Sequence, residues 1–265
     1  MNRRHFMGAL AAAGTAAAAE TNAPAETGAK PYRIEKLFKT PEGHPNAMEA
    51  TPEGLWIAEQ QSDNAYLLDW KTGKPKRKLI TESHNTSGIA YGGGFLWMGA
   101  NGKSLFRPLK PTDKDGGEVL KCDPKTGKTL ERFPIPDGGG VHGLVYHKDT
   151  IWLTCFKWKA LAQVDPKTFK VLHQIPVNYG RAHGLGIDGD AIWCVFSTDY
   201  LIQKLSLKDG KVLDEIQLDK KKDPDPHGAD FHQGSVIYCD AGMQHPDPKL
   251  IETPTSGGIF RIVRG

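Results

Sequence analysis

Residues 143–175 read GLVYHKDTIWLTCFKWKALAQVDPKTFKVLHQI, four short β-rich runs (Gly143–Tyr146, Thr150–Thr154, Leu161–Val164 and Lys170–Ile175) separated by turn-forming residues. Runs of four to six residues rich in β-branched and aromatic side chains read as half-buried strands, and none here carries a 3.6-residue apolar period. The unit recurs. An aromatic following an aliphatic residue stands at Leu55-Trp56, Leu96-Trp97, Ile151-Trp152, Ile192-Trp193 and Ile237-Tyr238, at spacings of 41, 55, 41 and 45 residues. A turn of the form Asp-x-Lys-Thr-Gly keeps step with it at Asp69–Gly73, Asp123–Gly127, Asp165–Phe169 and, degenerate, Ser206–Gly210.

Four strands in each repeat of about 40 residues is the signature of a β-propeller. The chain reads as all-β, a five-bladed β-propeller of four-stranded blades. The last repeat supplies only three strands, and Tyr32–Lys39 ahead of the first is an unassigned fourth. Pairing the two closes the ring and removes two exposed sheet edges. The long second spacing places an insertion at Arg107–Gly117, whose Pro and Gly residues mark a loop and a rim for a pocket.

The ends and the composition narrow the setting. Asn2-Arg3-Arg4-His5-Phe6-Met7 followed by the small apolar run Gly8–Ala19 resembles a twin-arginine export signal. Residues 1–30 are therefore expected to be signal peptide and flexible leader, 31–265 a single propeller domain, the location periplasmic or secreted, and the translocation (Tat) machinery a partner during export. About a dozen residues separate Phe6 from Glu20, too few for stable membrane insertion, which needs about 20. With Lys+Arg 34 against Asp+Glu 31 and no long basic run, nucleic acid is not an expected partner. Cys122, Cys155, Cys194 and Cys239 permit disulfides in an oxidising compartment, and each also lies in an apolar segment that suits a buried thiol.

Aligned on the aromatics, one position holds Asn46, Ser87, His142, His183 and His227, ten residues earlier and eleven in the last repeat. In a propeller this position lies where the chain enters the innermost strand, so the five side chains converge on the axis. Three neutral imidazoles there suit a divalent ion (magnesium, zinc, iron or copper) with positions open for a small-molecule substrate or ligand. The competing reading is that the repeated His caps the inner strand. His44 and His84 lie two and three residues before the equivalent positions and offer further ligands or a proton-transfer group. Glu49, Glu59 and Asp240 are the nearby carboxylates, and Glu59, His44 and Asp240 are the candidate catalytic groups. Lys157-Trp158-Lys159 and His245–Pro248 fall in loops of the same face, and Lys220-Lys221-Lys222 reads as a solvated turn.

Val141-His142-Gly143-Leu144, Ala182-His183-Gly184-Leu185 and Pro226-His227-Gly228-Ala229, with Asp188–Trp193, resemble the blade motif of the streptogramin B lyase family. That resemblance implies a divalent ion, usually magnesium, and a β-elimination that opens a cyclic ester, with His227 or His183 in the place of the family His and Glu59 in that of its Glu. The expectation is thus a metal-dependent lyase or hydrolase. The alternative is a non-enzymatic ligand- or protein-binding propeller scaffold. Size and export also fit the plant-type glutaminyl cyclotransferases.

Overall fold

Each blade begins with a short strand that the sequence places beside the axis. In the computed structural model, which describes residues 31–242 and 254–264, blade 1 runs outward through β2 (Pro45–Ala50), β3 (Leu55–Glu59), β4 (Asn64–Leu68) and β5 (Pro75–Ile80). Blade 2 follows with β6 (Thr86–Gly92), β7 (Phe95–Asn101), β8 (Gly117–Cys122) and β9 (Thr129–Pro134). Blade 3 comprises β10 (Leu144–His147), β11 (Thr150–Cys155), β12 (Ala160–Val164) and β13 (Val171–Pro176). Blade 4 comprises β14 (Ala182–Asp188), β15 (Ala191–Phe196), β16 (Leu201–Ser206) and β17 (Val212–Gln217). Blade 5 takes β18 (Ala229–His232), β19 (Ser235–Cys239) and β20 (Gly258–Arg264) from the end of the chain and β1 (Tyr32–Lys39) from its beginning.

The expected closure is therefore present: β1 pairs antiparallel with β20 from Tyr32↔Arg264 to Lys39↔Gly258. Tyr32 Oη adds a 2.6 Å hydrogen bond to Asp223. Among the described residues no helix is long and apolar enough to cross a membrane.

The repeated turn has a physical explanation. Asp69, Asp123 and Asp165 each use Oδ1 to accept the backbone N–H two and three residues on and the Thr hydroxyl, at 2.7 to 3.1 Å. The fifth residue then takes positive φ: Gly73 +66°, Gly127 +76°, Phe169 +56° and Gly210 +74°. A left-handed residue here makes the bulge that shifts register between third and fourth strands, at Leu67/Leu68, Lys121/Cys122, Gln163/Val164 and Lys204/Leu205. Blade 5 has no such turn because its fourth strand is β1, which is joined to it through no hairpin. Four copies of this marker beside five aromatics is the imprint of that closure.

Trp56, Trp97, Trp152, Trp193 and Tyr238 all lie on second strands and are buried. They sit in five apolar layers, each between adjacent blades: Trp56 with Ile89 and Met98, Trp97 with Leu144 and Leu153, Trp152 with Leu185 and Cys194. The remaining two layers join blade 4 to blade 5 and blade 5 to blade 1. Burying such rings removes some 150–250 Å² each from water, which makes the inter-blade layers the main source of cohesion. All four cysteines are free, buried thiols within these layers.

Candidate functional site

The turns that enter the first strands and those between second and third strands lie on one face. The five aligned polar residues stand at its centre. Each is followed by a small residue, and the reason is close approach between inner strands. A Cβ on Gly143 would lie 2.0 Å from the His183 carbonyl oxygen, one on Gly184 2.1 Å from Ala229 N, and one on Gly228 2.5 Å from Ala47 Cα. The His-Gly pair is therefore partly a packing device, since at these three positions a Cβ would strike the backbone of the neighbouring inner strand. Beneath the polar ring, Met48, Ile89, Leu144, Leu185 and Ala229 plug the axis and leave no room for water.

His142, His183 and His227 are brought together as the alignment implied, with ring centroids 4.7 and 4.9 Å apart. Their mutual geometry overturns the metal expectation. Among the described residues no three His, Cys, Asp or Glu side chains gather so as to hold a metal ion. The imidazoles stand edge to face at 80° and 77°, each presenting ring to neighbouring ring rather than aiming nitrogens at a common point. His142 Nε2 is also engaged by Asn101 Nδ2 at 2.6 Å. The expected divalent ion and the metal-dependent lyase or hydrolase that it implied are corrected accordingly.

Burial pushes the pKa of all three histidines down, His227 to about 4 with Arg181 adding to the effect, so the ring is neutral at pH 7. A neutral imidazole must carry its proton on one nitrogen. Among the described residues, His183 Nδ1 and Nε2, His142 Nδ1 and His227 Nδ1 nevertheless have no hydrogen-bond partner, although His227 Nδ1 lies 3.5 Å from Asp225 Oδ2.

The candidate catalytic residues occupy the seam between blades 5 and 1. Glu59 is buried, and its Oε2 accepts the His44 backbone N–H at 2.8 Å. Desolvation drives its pKa up to about 7. The His44 ring reaches the Ala241 carbonyl at 3.1 Å. Asp240, also buried, accepts Gly242 N at 2.8 Å and Thr255 Oγ1 at 2.5 Å. Both carboxylates thus brace loop backbone. His84 is buried elsewhere, held by the Gly102 carbonyl at 2.7 Å and Glu118 at 3.0 Å. Glu49 is buried with Asp230 beside it, and desolvation raises both pKa values. His245–Pro248 lie outside the described residues.

The insertion is clamped onto this face by Arg107, which meets Asp63 at 2.6 Å, Asp113 at 2.8 Å and the Ser83 carbonyl at 3.1 Å.

A cavity of about 310 Å³ opens beside His227, between blades 4 and 5, lined further by Arg181, Ser197, Tyr200, Lys220 and Asp225. Lys220-Lys221-Lys222 form an exposed turn as expected, and Lys220 also borders the cavity, its Nζ 5.6 Å from the Tyr200 ring centre. Desolvation lifts the Asp225 carboxyl to about 6, against a hydrogen bond from Tyr200 and the charge of Arg181. Arg181 faces the cavity with its own pKa lowered by desolvation, and among the described residues its guanidinium makes no hydrogen bond or ion pair; Asp225 is a more distant counter-charge. Sequence reasoning passed over these residues. The signal was one alignment column away: two residues before the inner-strand position stand His44, Asn85, Gly140, Arg181 and Asp225, a second ring above the first.

No protein-family model matches the chain, and no curated protein matches it. Solved structures do. The glutaminyl cyclase of Myxococcus xanthus superposes with a TM-score of 0.63 at 10% identity, covering 88% of this chain and 95% of that one. A streptogramin B lyase structure gives 0.50 at 14% identity, covering 88% and 98%. At such identities the likeness carries the architecture alone: this chain is a five-bladed β-propeller whose fold is similar to those of both structures.

Proposed function

We propose that this chain is a non-enzymatic binding propeller that takes a small anionic molecule in the cavity between blades 4 and 5, and that it works in the periplasm after twin-arginine export. The observation that carries the reading is Arg181. An exposed guanidinium that faces a cavity and has no partner among the described residues offers its donors to a carboxylate, sulfonate or phosphate, which it holds in a bidentate fork. Lys220 adds a second cation on the wall, and the Ser197 hydroxyl, buried and without a partner, adds another group for the ligand's polar atoms. The unpaired histidine nitrogens continue this supply toward the axis.

The test is titration calorimetry of the mature protein against small carboxylates, sulfonates and phosphates, with Arg181→Met beside the wild type. Saturable binding of at least one anion that drops about tenfold or more in the variant is the expected result, in line with loss of a charge-assisted pair. Anions that bind both proteins equally, or neither, refute the reading.

A further inference from the structure

A second surface lies on the same face, across blades 2, 3 and 4. Apart from Tyr91 on β6, the exposed large apolar side chains among the described residues fall into two sets. One is scattered over the outer strands, as Ile80, Leu130, Leu172 and Leu213, where single exposed aliphatics need no explanation. The other is Leu105, Leu109, Trp158 and Tyr179, all in loops of the face that holds the cavity.

These loops form one continuous arc. At the end of the insertion, Gly117 packs so closely on Gly139 that a Cβ would stand 2.5 Å from its carbonyl oxygen. Lys157 Nζ donates to the Gly138 carbonyl at 2.7 Å, and Lys157 N to Asp137 at 2.8 Å. Val177 N then donates to the Lys159 carbonyl at 2.9 Å, and Tyr179 rests on Phe196 with ring centres 5.2 Å apart. With the Arg107 clamp, the arc is a preformed surface.

Its charge is as one-sided as its apolar content. Residues 101–117, 137–140, 156–159 and 177–179 carry six Lys and Arg against three Asp, so this fraction of the chain holds as much net positive charge as the whole, +3. Two of the three Asp are used internally, Asp113 on Arg107 and Asp137 on backbone N–H groups. Lys103, Lys114, Lys157 and Lys159 remain exposed around the four apolar side chains. Aromatic and aliphatic anchors ringed by cations make a docking surface for an acidic, apolar-studded protein segment.

We infer that this basic, aromatic arc docks an acidic protein segment bearing aromatic and aliphatic side chains. Four anchors on three separately braced loops favour a protein over a lipid surface, because a membrane-binding patch relies on a contiguous apolar area that enters the acyl region. The probe is a fluorescein-labelled peptide, Asp-Glu-Leu-Glu-Trp-Asp-Glu-Leu-Asp-Glu, followed by fluorescence anisotropy against the full mature chain. Controls are the same peptide with Leu and Trp replaced by Ser, and vesicles containing anionic phosphatidylglycerol.

Saturable binding is expected, weakened roughly tenfold by Leu109→Ser with Trp158→Ser. Lys103→Glu with Lys114→Glu is expected to weaken it by a similar factor, and so is raising salt from about 50 to about 300 mM. The Ser control peptide is expected to bind at least roughly fivefold more weakly. Absence of saturable binding, indifference to both variant pairs, or vesicle binding with no peptide binding each overturns the inference. Arg181→Met is expected to leave the peptide affinity unchanged, so failure of the arc and failure of the anion cavity are read separately.

Discussion

Blades 1 and 2 and blades 3 to 5 fill the same ring of inner-strand positions in opposite ways. In the first pair, Asn46 Nδ2 donates to the Thr86 carbonyl at 3.2 Å and to Ser87 Oγ at 3.0 Å, and Ser87 Oγ bonds the Asn85 carbonyl. Asp63 accepts Thr86 N and Oγ1 at 2.8 Å while pairing with Arg107. Unpartnered atoms on that side, Asn46 Oδ1, Gln60 Oε1 and Glu59 Oε1, are acceptor oxygens of amides and a carboxyl. On the other side, among the described residues, they are ring nitrogens of His142, His183 and His227 and the Ser197 hydroxyl, beside the exposed Arg181. A buried polar group without a partner is costly, and each neutral imidazole carries one donor and one acceptor nitrogen. Blades 1 and 2 bond most of their ring residues to one another, whereas those of blades 3 to 5 leave several ring nitrogens unpaired among the described residues.

The strongest challenge to that contrast is to the packing that both halves share. Gly143→Ala drives a Cβ to 2.0 Å from a backbone oxygen that cannot move freely, and a loss of about 3 kcal/mol or more is expected in urea unfolding. Gly116→Ala, whose Cβ meets nothing within 4 Å, is the control. Equal stability of the two variants would remove the packing explanation of the His-Gly motif.

Next comes Glu59, in the self-bonded half. Its folded pKa of about 7 lies above the unfolded value, so the folded chain binds its proton more tightly and stability falls as pH rises through that window. Thermal unfolding between about pH 5 and 8 is expected to show Glu59→Gln gaining on the wild type by on the order of 2–3 kcal/mol as pH rises, since each pKa unit is worth about 1.4 kcal/mol. Parallel pH profiles would contradict it. His227, with its folded pKa depressed to about 4, works in the other direction and takes stability away as pH falls from about 6.5.

A pair of apolar substitutions addresses the contrast directly. Asn46→Leu strands the Thr86 carbonyl and Ser87 hydroxyl and is expected to cost about 1–3 kcal/mol, whereas His183→Leu removes two unpartnered nitrogens and is expected to be neutral or stabilising. A large loss in His183→Leu would mean that its nitrogens are satisfied in the folded protein.

The smallest effect concerns affinity. Asp225 repels an anion while ionised, so anion affinity is expected to rise a fewfold as pH falls through about 6, with Asp225→Asn flattening the change. A flat wild-type profile would detach Asp225 from the ligand.

Much of this molecule was present in its sequence because the relevant signals are periodic and local. Trp56 to Tyr238 mark the second strands through hydrophobicity, Asp69, Asp123 and Asp165 mark hairpins through a turn whose hydrogen bonds span only three residues, and the missing fifth turn marks the closure by Tyr32–Lys39. The same alignment placed His142, His183 and His227 on one axis. What three converging histidines do was beyond it, since spacing determines which side chains meet and not the angle at which they meet. The edge-to-face imidazoles, the bonds of the Asn46 Nδ2 and the position of Arg181 on the cavity wall follow from rotamers and inter-blade distances, which arise when five sheets pack against one another. The tertiary structure alone decided that the ring gathers no metal-holding cluster among the described residues and that a cavity opens to one side of the axis.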